Sequence, residues 1–232
     1  MSTLKLNDVH VSIKGSHILQ GVTFTAEENK VTALLGRNGV GKSTTIKSIL
    51  GIHPSTGSIE FDGASIQGEE TYKIVKSGIA YVPEDREVFA GLTVRENLEL
   101  AAQGEAAQWD LVYDLFPELK TRANQRAGTL SGGQQQMVAI SRALINKNKI
   151  LLVDEPTKGL APKLVTEVAD ALARVAGTTT MLLVEQNLPL VKRIAENIIV
   201  MDQGKVLFQG DADQLNDEAF VKQMLGVSGG HH

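Results

Sequence analysis

The stretch Val31–Leu50, VTALLGRNGVGKSTTIKSIL, decides the fold. Val31–Leu35 is a short apolar run bounded by glycine, the pattern of a buried strand, and Thr44–Leu50 predicts a helix. Between them Gly36–Thr44, GRNGVGKST, spells G-x-x-x-x-G-K-[ST]. In a strand–loop–helix setting those glycines let backbone N–H groups turn inward around phosphate oxygens, and the helix start adds its positive dipole end. Gly36, Asn38, Gly39, Val40, Gly41, Lys42, Ser43 and Thr44 are therefore candidate nucleotide-binding residues. Lys42 is expected to reach the β- and γ-phosphates, and Ser43 to offer its hydroxyl to Mg²⁺, which makes ATP and Mg²⁺ the implied cofactors.

A partner for this loop lies further along. ILLVDEP, Ile150–Pro156, is an apolar strand ending in Asp154 and Glu155. Ligands in parallel sheets bind at the carboxyl ends of strands, so Asp154 fits the acid that supports Mg²⁺. A second carboxylate directly after it, Glu155, can accept a proton from an attacking water. The competing reading is a solvent-exposed acid at a strand end; the phosphate loop favours catalysis.

The segment TLSGGQQQMVAISRALI, Thr129–Ile145, places two adjacent glycines in a first helical turn. Ser131 and Gln134 stand at capping-box spacing, so the helix starts at Ser131. Gly132 and Gly133 then lie where N–H groups have no helical partner, and a turn without side chains admits an anion closely. Close packing against the rest of the chain is the other reading of the same two glycines.

Around these motifs, Leu4–Ile13 alternates apolar and polar residues with a slip at Asn7–Asp8, which predicts a bulged edge strand. Strands are expected before Lys30, at Val31–Leu35, in GSIEFDGASI and in GIAYVPED, so the first part is β-rich. LTVRENLELAAQ begins with Thr93 and Glu96 at capping-box spacing, and Trp109, Leu111, Val112, Leu115 and Phe116 form a packing stripe stopped by Pro117. Residues 88–128 thus read as a helical lobe set into an α/β core formed by 1–87 and 129–228. Beyond the lobe, strands and helices alternate in the βαβ manner that implies a mainly parallel sheet.

The 232 residues include no cysteine, which excludes disulfides and thiolate metal sites and suits a reducing compartment. The formal charge of −4, from 23 basic and 27 acidic residues, argues against a nucleic-acid binder. No run reaches the roughly 18 apolar residues of a membrane span, so a membrane role would come through a partner. All five histidines lie away from the motifs, and the closing SGGHH, with 229–232 as part of a tag, is set aside from function.

Together, LSGGQ, GRNGVGKST and LLVDEP, in this order along the chain, resemble the ATP-binding-cassette (ABC) ATPases over nearly its full length. The resemblance implies a P-loop α/β fold with an N-terminal antiparallel β subdomain and an inserted α-helical subdomain. It also implies a second ABC ATPase subunit packed head to tail, so that Ser131, Gly132, Gly133 and Gln134 contact ATP held by the neighbour. The GLAP run, Gly159–Pro162, falls where the family has an inter-subunit loop. Three positions depart from the commonest pattern. Ile13 stands where an aromatic residue usually stacks on adenine, Glu84 where a glutamine is usual, and Gln186 where a histidine is usual. As a carboxylate, Glu84 remains a candidate Mg²⁺ ligand, and Gln186 can donate an amide hydrogen bond to a γ-phosphate without carrying a proton.

The phrases VPEDREVF, AGTLSGGQQQM, KGLAP and LLVEQN are similar to those of ATPase subunits of branched-chain amino acid importers, and the ATPases of urea and short-amide importers are close alternatives. That likeness implies an integral membrane permease whose short cytoplasmic helix docks near Glu84–Leu92, with Val88 and Phe89 as apolar contacts. It also implies an extracytoplasmic solute-binding protein acting indirectly, and a place on the cytoplasmic face of the membrane. A soluble cassette outside transport, and a nucleotide-gated binding module with little hydrolysis, are the competing classes.

Overall fold

The computed structural model describes residues 3–226, so the SGGHH ending lies outside the described residues. The chain builds two sheets. The first is antiparallel and pairs, in spatial order, β2 (Ser16–Ala26), β1 (Leu4–Ile13), β4 (Thr56–Phe61) and β5 (Ala64–Ser65). The register slips between Leu6 and Val9, and Asp8 takes a left-handed φ of 51°, which places the expected bulge at Asn7–Asp8. The expectation of an edge strand is corrected, because β1 is paired on both sides. Its alternation reports one solvated face, which any strand of a half-covered antiparallel sheet has, central or not.

The second sheet has the order β10 (Lys205–Asp211), β9 (Asn197–Asp202), β3 (Val31–Leu35), β8 (Thr180–Val184), β7 (Ile150–Asp154) and β6 (Ile79–Val82). From β9 to β6 it is parallel, and β10 runs antiparallel along one edge. Every residue of β3, β7 and β8 is buried, as expected of parallel strands covered on both faces. Successive side chains point to opposite faces, and the cores divide accordingly. Ile150, Leu152, Leu182 and Val184 join the first sheet and α1 (Lys42–Ile49), whereas Leu151, Val153, Met181 and Leu183 face the helices.

Those helices are α3 (Val94–Ala101), α4 (Trp109–Leu115), α5 (Pro117–Thr121), α6 (Gly132–Leu144) and α7 (Pro162–Val175). The Thr93–Glu96 capping box forms as expected. Val112 and Phe116 are buried in this core and Trp109 and Leu115 pack against it, so the apolar stripe is helix packing. Pro117 both stops α4 and opens α5, since its missing N–H costs nothing at a first helical position. Two further helices, α2 (Thr71–Lys76) and α9 (Glu218–Leu225), flank the sheets, and α8 (Leu188–Ile194) follows β8. Among the described residues, no helix is long and apolar enough to cross a membrane.

Candidate active site

The carboxyl ends of β3, β7 and β8 are neighbours in the sheet, and this brings three distant segments together. The loop after β3 turns sharply into α1. Gly36 has φ +147° and Gly41 has φ +108°. A side chain at Gly36 would collide with the Met201 carbonyl, and one at Gly41 would come 2.7 Å from Leu19 Cδ2. Glycine is therefore required twice, by backbone conformation and by space. Gly41 caps α1 without any side-chain acceptor, which leaves its first-turn amides available to an anion.

Lys42 is buried, and its ammonium donates to the carbonyls of Gly36 at 2.9 Å and Arg37 at 3.0 Å. Burial pushes its pKa down, while Glu155 and Asp154 pull it back up. Ser43 Oγ donates to Asp154 Oδ1 at 3.0 Å. Asp154 is buried, and burial raises its pKa to about 6 against the opposing hydrogen bond from Ser43. Glu155 adopts φ +44°, a left-handed conformation that costs a non-glycine residue roughly 1–2 kcal/mol. The kink aims its side chain back into the loop region, where it is 7% exposed. Its Oε1 lies 3.9 Å from Lys42 Nζ and accepts from Gln186 Nε2 at 2.7 Å, and the same Gln186 amide donates to Asn38 Oδ1. The reading of Glu155 as a solvent-exposed strand end is thus set aside.

An open cleft of about 650 Å³ runs along the loop, lined by Asn38, Gly39, Gly41, Lys42, Ser43 and Thr44. Ile13, Ile18, Glu84 and Glu155 also line it. Val40 contributes only backbone here, because its side chain is buried in the core under the first sheet. Gly36 and Gln186 line an adjoining cavity with Arg37 and Glu185. Ser43 and Asp154 suit Mg²⁺, which takes one or two protein oxygens and completes its shell with phosphate oxygens and water. Glu84 accepts from the ammonium of Lys158, which lines the same cleft.

Ser131, Gly132, Gly133 and Gln134 do not line this cleft. Ser131 caps α6 with the expected box: Gln134 N donates to Ser131 Oγ at 3.3 Å, and Ser131 N donates to Gln134 Oε1 at 2.9 Å. The space over both glycines is taken by the chain itself. A Cβ at Gly132 would come 2.6 Å from Arg86 Nη1, and one at Gly133 would strike Leu164 Cδ1.

Two residues of the site escaped sequence reasoning. Glu185 is buried and accepts from Thr157 N, Thr157 Oγ1, Gln186 N and Asn187 N, tying the segment after β7 to the segment after β8. An acid after an all-apolar strand was the available signal. Lys158 reaches both Glu84 and, at 3.1 Å, Glu155 Oε2; its hydrogen bond to Glu84 is the main cause of a raised pKa.

Residues 19–158 match the family model described as ABC transporter. The chain belongs to the ABC transporter family. Among its ABC relatives, a probable branched-chain amino acid transport ATP-binding protein, LivF, of Archaeoglobus fulgidus is 38% identical and covers 98% of this chain and 99% of its own. The high-affinity branched-chain amino acid transport ATP-binding protein BraG of Pseudomonas aeruginosa is 39% identical over 82% of this chain and 84% of its own. A nucleotide-free ATP-binding cassette from an ABC transporter superposes with a TM-score of 0.81 at 25% identity, covering 98% of this chain and 96% of that one. The P-loop ABC fold expected from the motifs is thereby established.

Proposed function

We propose that this chain is the ATP-binding and ATP-hydrolysing subunit of an importer for branched-chain or related amino acids, working on the cytoplasmic face of the membrane. The observation that carries the reading is Glu155: a buried carboxylate, twisted into a left-handed conformation, held between Lys42 and Gln186 beside a glycine loop with open helix-end amides. Two relatives whose names specify branched-chain amino acid transport support the solute class.

Lys42 and the loop amides orient the triphosphate. Ser43 and Asp154 would hold Mg²⁺, which would neutralise phosphate charge. Glu155 takes the proton of the attacking water, and Gln186 orients Glu155 with one amide N–H and turns the other from Asn38 to the terminal phosphate. Ile13, which lines the cleft, supports the base by apolar contact, and Glu84, which also lines it, is a further candidate metal ligand. The Ser131–Gln134 turn lies outside its own chain's cleft, and in this reading it serves the nucleotide of a second cassette packed head to tail, with the Arg86 side chain moved off Gly132. Residues 88–128 act as the helical lobe on a core of 1–87 and 129–228. A groove of about 300 Å³, lined by Val75, Pro83, Glu87, Ala101 and Arg142, is the place for a permease helix. Beside it Phe89 is exposed under the Arg142 guanidinium, while Val88 packs inward.

The test is phosphate release by the purified chain with ATP and Mg²⁺. Glu155→Gln is expected to slow turnover by about 10²–10⁴-fold while ATP is still bound. A variant that turns over at the normal rate removes Glu155 from the chemistry.

A further inference from the structure

The cleft carries an internal cation that the proposed chemistry does not use. Three carboxylates, Asp154, Glu155 and Glu84, meet two ammonium groups, Lys42 and Lys158, around the phosphate loop. Lys42 is committed to the Gly36 and Arg37 carbonyls. Lys158 is placed by a turn in which its N–H donates to the Glu155 carbonyl at 3.1 Å. From there its side chain bridges Glu155 Oε2 and Glu84 Oε1, two acids on loops that follow different strands. On the other side of the bridge, Lys158 and Glu84 also line a small cavity with Asp85 and Arg86.

A bridged pair of acids differs from two free ones in how it meets charged ligands. With the ammonium in place, one of the two negative charges of Glu84 and Glu155 is offset, and a polyanion meets less repulsion. Lys158 occupies one oxygen of Glu84, so a metal arriving at this carboxylate meets an acid whose charge is already shared with an ammonium. We propose that Lys158 is a built-in counter-ion that couples Glu84 to Glu155, easing entry of the metal-free triphosphate and competing with the divalent cation for Glu84. This rests on the reading of the cleft as an ATP site. It makes the acid at position 84 and the lysine at position 158 one unit.

The full-length chain and a fluorescent ATP analogue test it by equilibrium binding, first in EDTA and then along a Mg²⁺ titration. Lys158→Met is expected to weaken metal-free binding by about three- to tenfold, a modest factor because the ammonium is half exposed. The same change should lower the free Mg²⁺ needed for half-maximal tightening by a similar factor. Lys158→Arg keeps the charge and should stay near the wild type. Glu84→Gln alone should move both constants the opposite way, and in a Glu84→Gln background Lys158→Met should lose its effect on the Mg²⁺ requirement while still weakening metal-free binding through the uncovered Glu155. A lysine that only props up the loop would weaken both constants together, and that result, or no change in either, overturns the role of Lys158. In that case wild-type binding still stands and the ATP-site reading survives. A wild-type chain that binds no nucleotide overturns both.

Discussion

Two α-helix N-termini among the described residues, those of α1 and α6, are marked by glycine, and they are built in opposite ways. At α1 the cap is Gly41, no side chain accepts from the first turn, and Lys42 adds positive charge at its edge. At α6 the cap is Ser131, the box with Gln134 closes on itself, and Gln134 Nε2 is further held by Glu118 Oε1 at 2.6 Å. The glycines of α1 bend the backbone, whereas those of α6 make room for Arg86 and Leu164. Glycine at a helix start therefore has two separable meanings: an open cradle for an anion, and a thin surface for packing. Within one chain, the first terminus is open to a ligand and the second is satisfied by its own neighbours.

The largest test of this contrast is Lys42→Ala. It should lower ATP affinity by about a hundredfold or more, since it removes a buried charge-assisted contact to the phosphates. Isothermal titration with ATP and Mg²⁺ measures it, and unchanged affinity would break the assignment of the α1 end.

Next in size is Asp154→Asn, followed by denaturant unfolding without metal or nucleotide. Burial raises the native pKa of Asp154 to about 6, above the unfolded value, so the folded state binds the extra proton between roughly pH 4 and 6. Above that window the wild type carries the full penalty of a buried charge, and asparagine is expected to be more stable by about 1–3 kcal/mol. The advantage should shrink as pH falls through 6 toward 4. An advantage that does not depend on pH would mean that the Ser43 hydrogen bond, not burial, governs this carboxyl.

The smallest effect is expected at the other helix. Ser131→Ala removes the α6 cap and should cost about 1 kcal/mol in unfolding free energy. ATP binding to the isolated subunit should be unaffected, because Ser131 lies off the cleft. A loss of monomer binding would erase the distinction between the two termini.

Much of this was legible along the chain. The phosphate loop, the Asp154–Glu155 pair, both capping boxes and the buried strands are local patterns, written within a few consecutive residues. The short α2 was not legible because it buries only Ile74. Nor was α9, which buries no residue completely and rests on a surface formed with β10, where Phe220 meets Phe208 edge to face. The centrality of β1 was hidden for another reason: alternation reports how many faces are covered and says nothing about how many neighbours a strand has.

From the sequence alone came the family, the nucleotide loop and the acids that face it, because those depend on spacing along the backbone. Which side chain answers which did not. That Lys158 joins Glu84 to Glu155, that Gln186 spans Asn38 and Glu155, and that Arg86 and Leu164 cover the α6 glycines are pairings between residues far apart in the chain. Only the stacking of β3, β8 and β7 in the sheet brings the cleft's loops within reach, since hydrogen bonds and ion pairs act over a few ångströms of space regardless of separation in sequence.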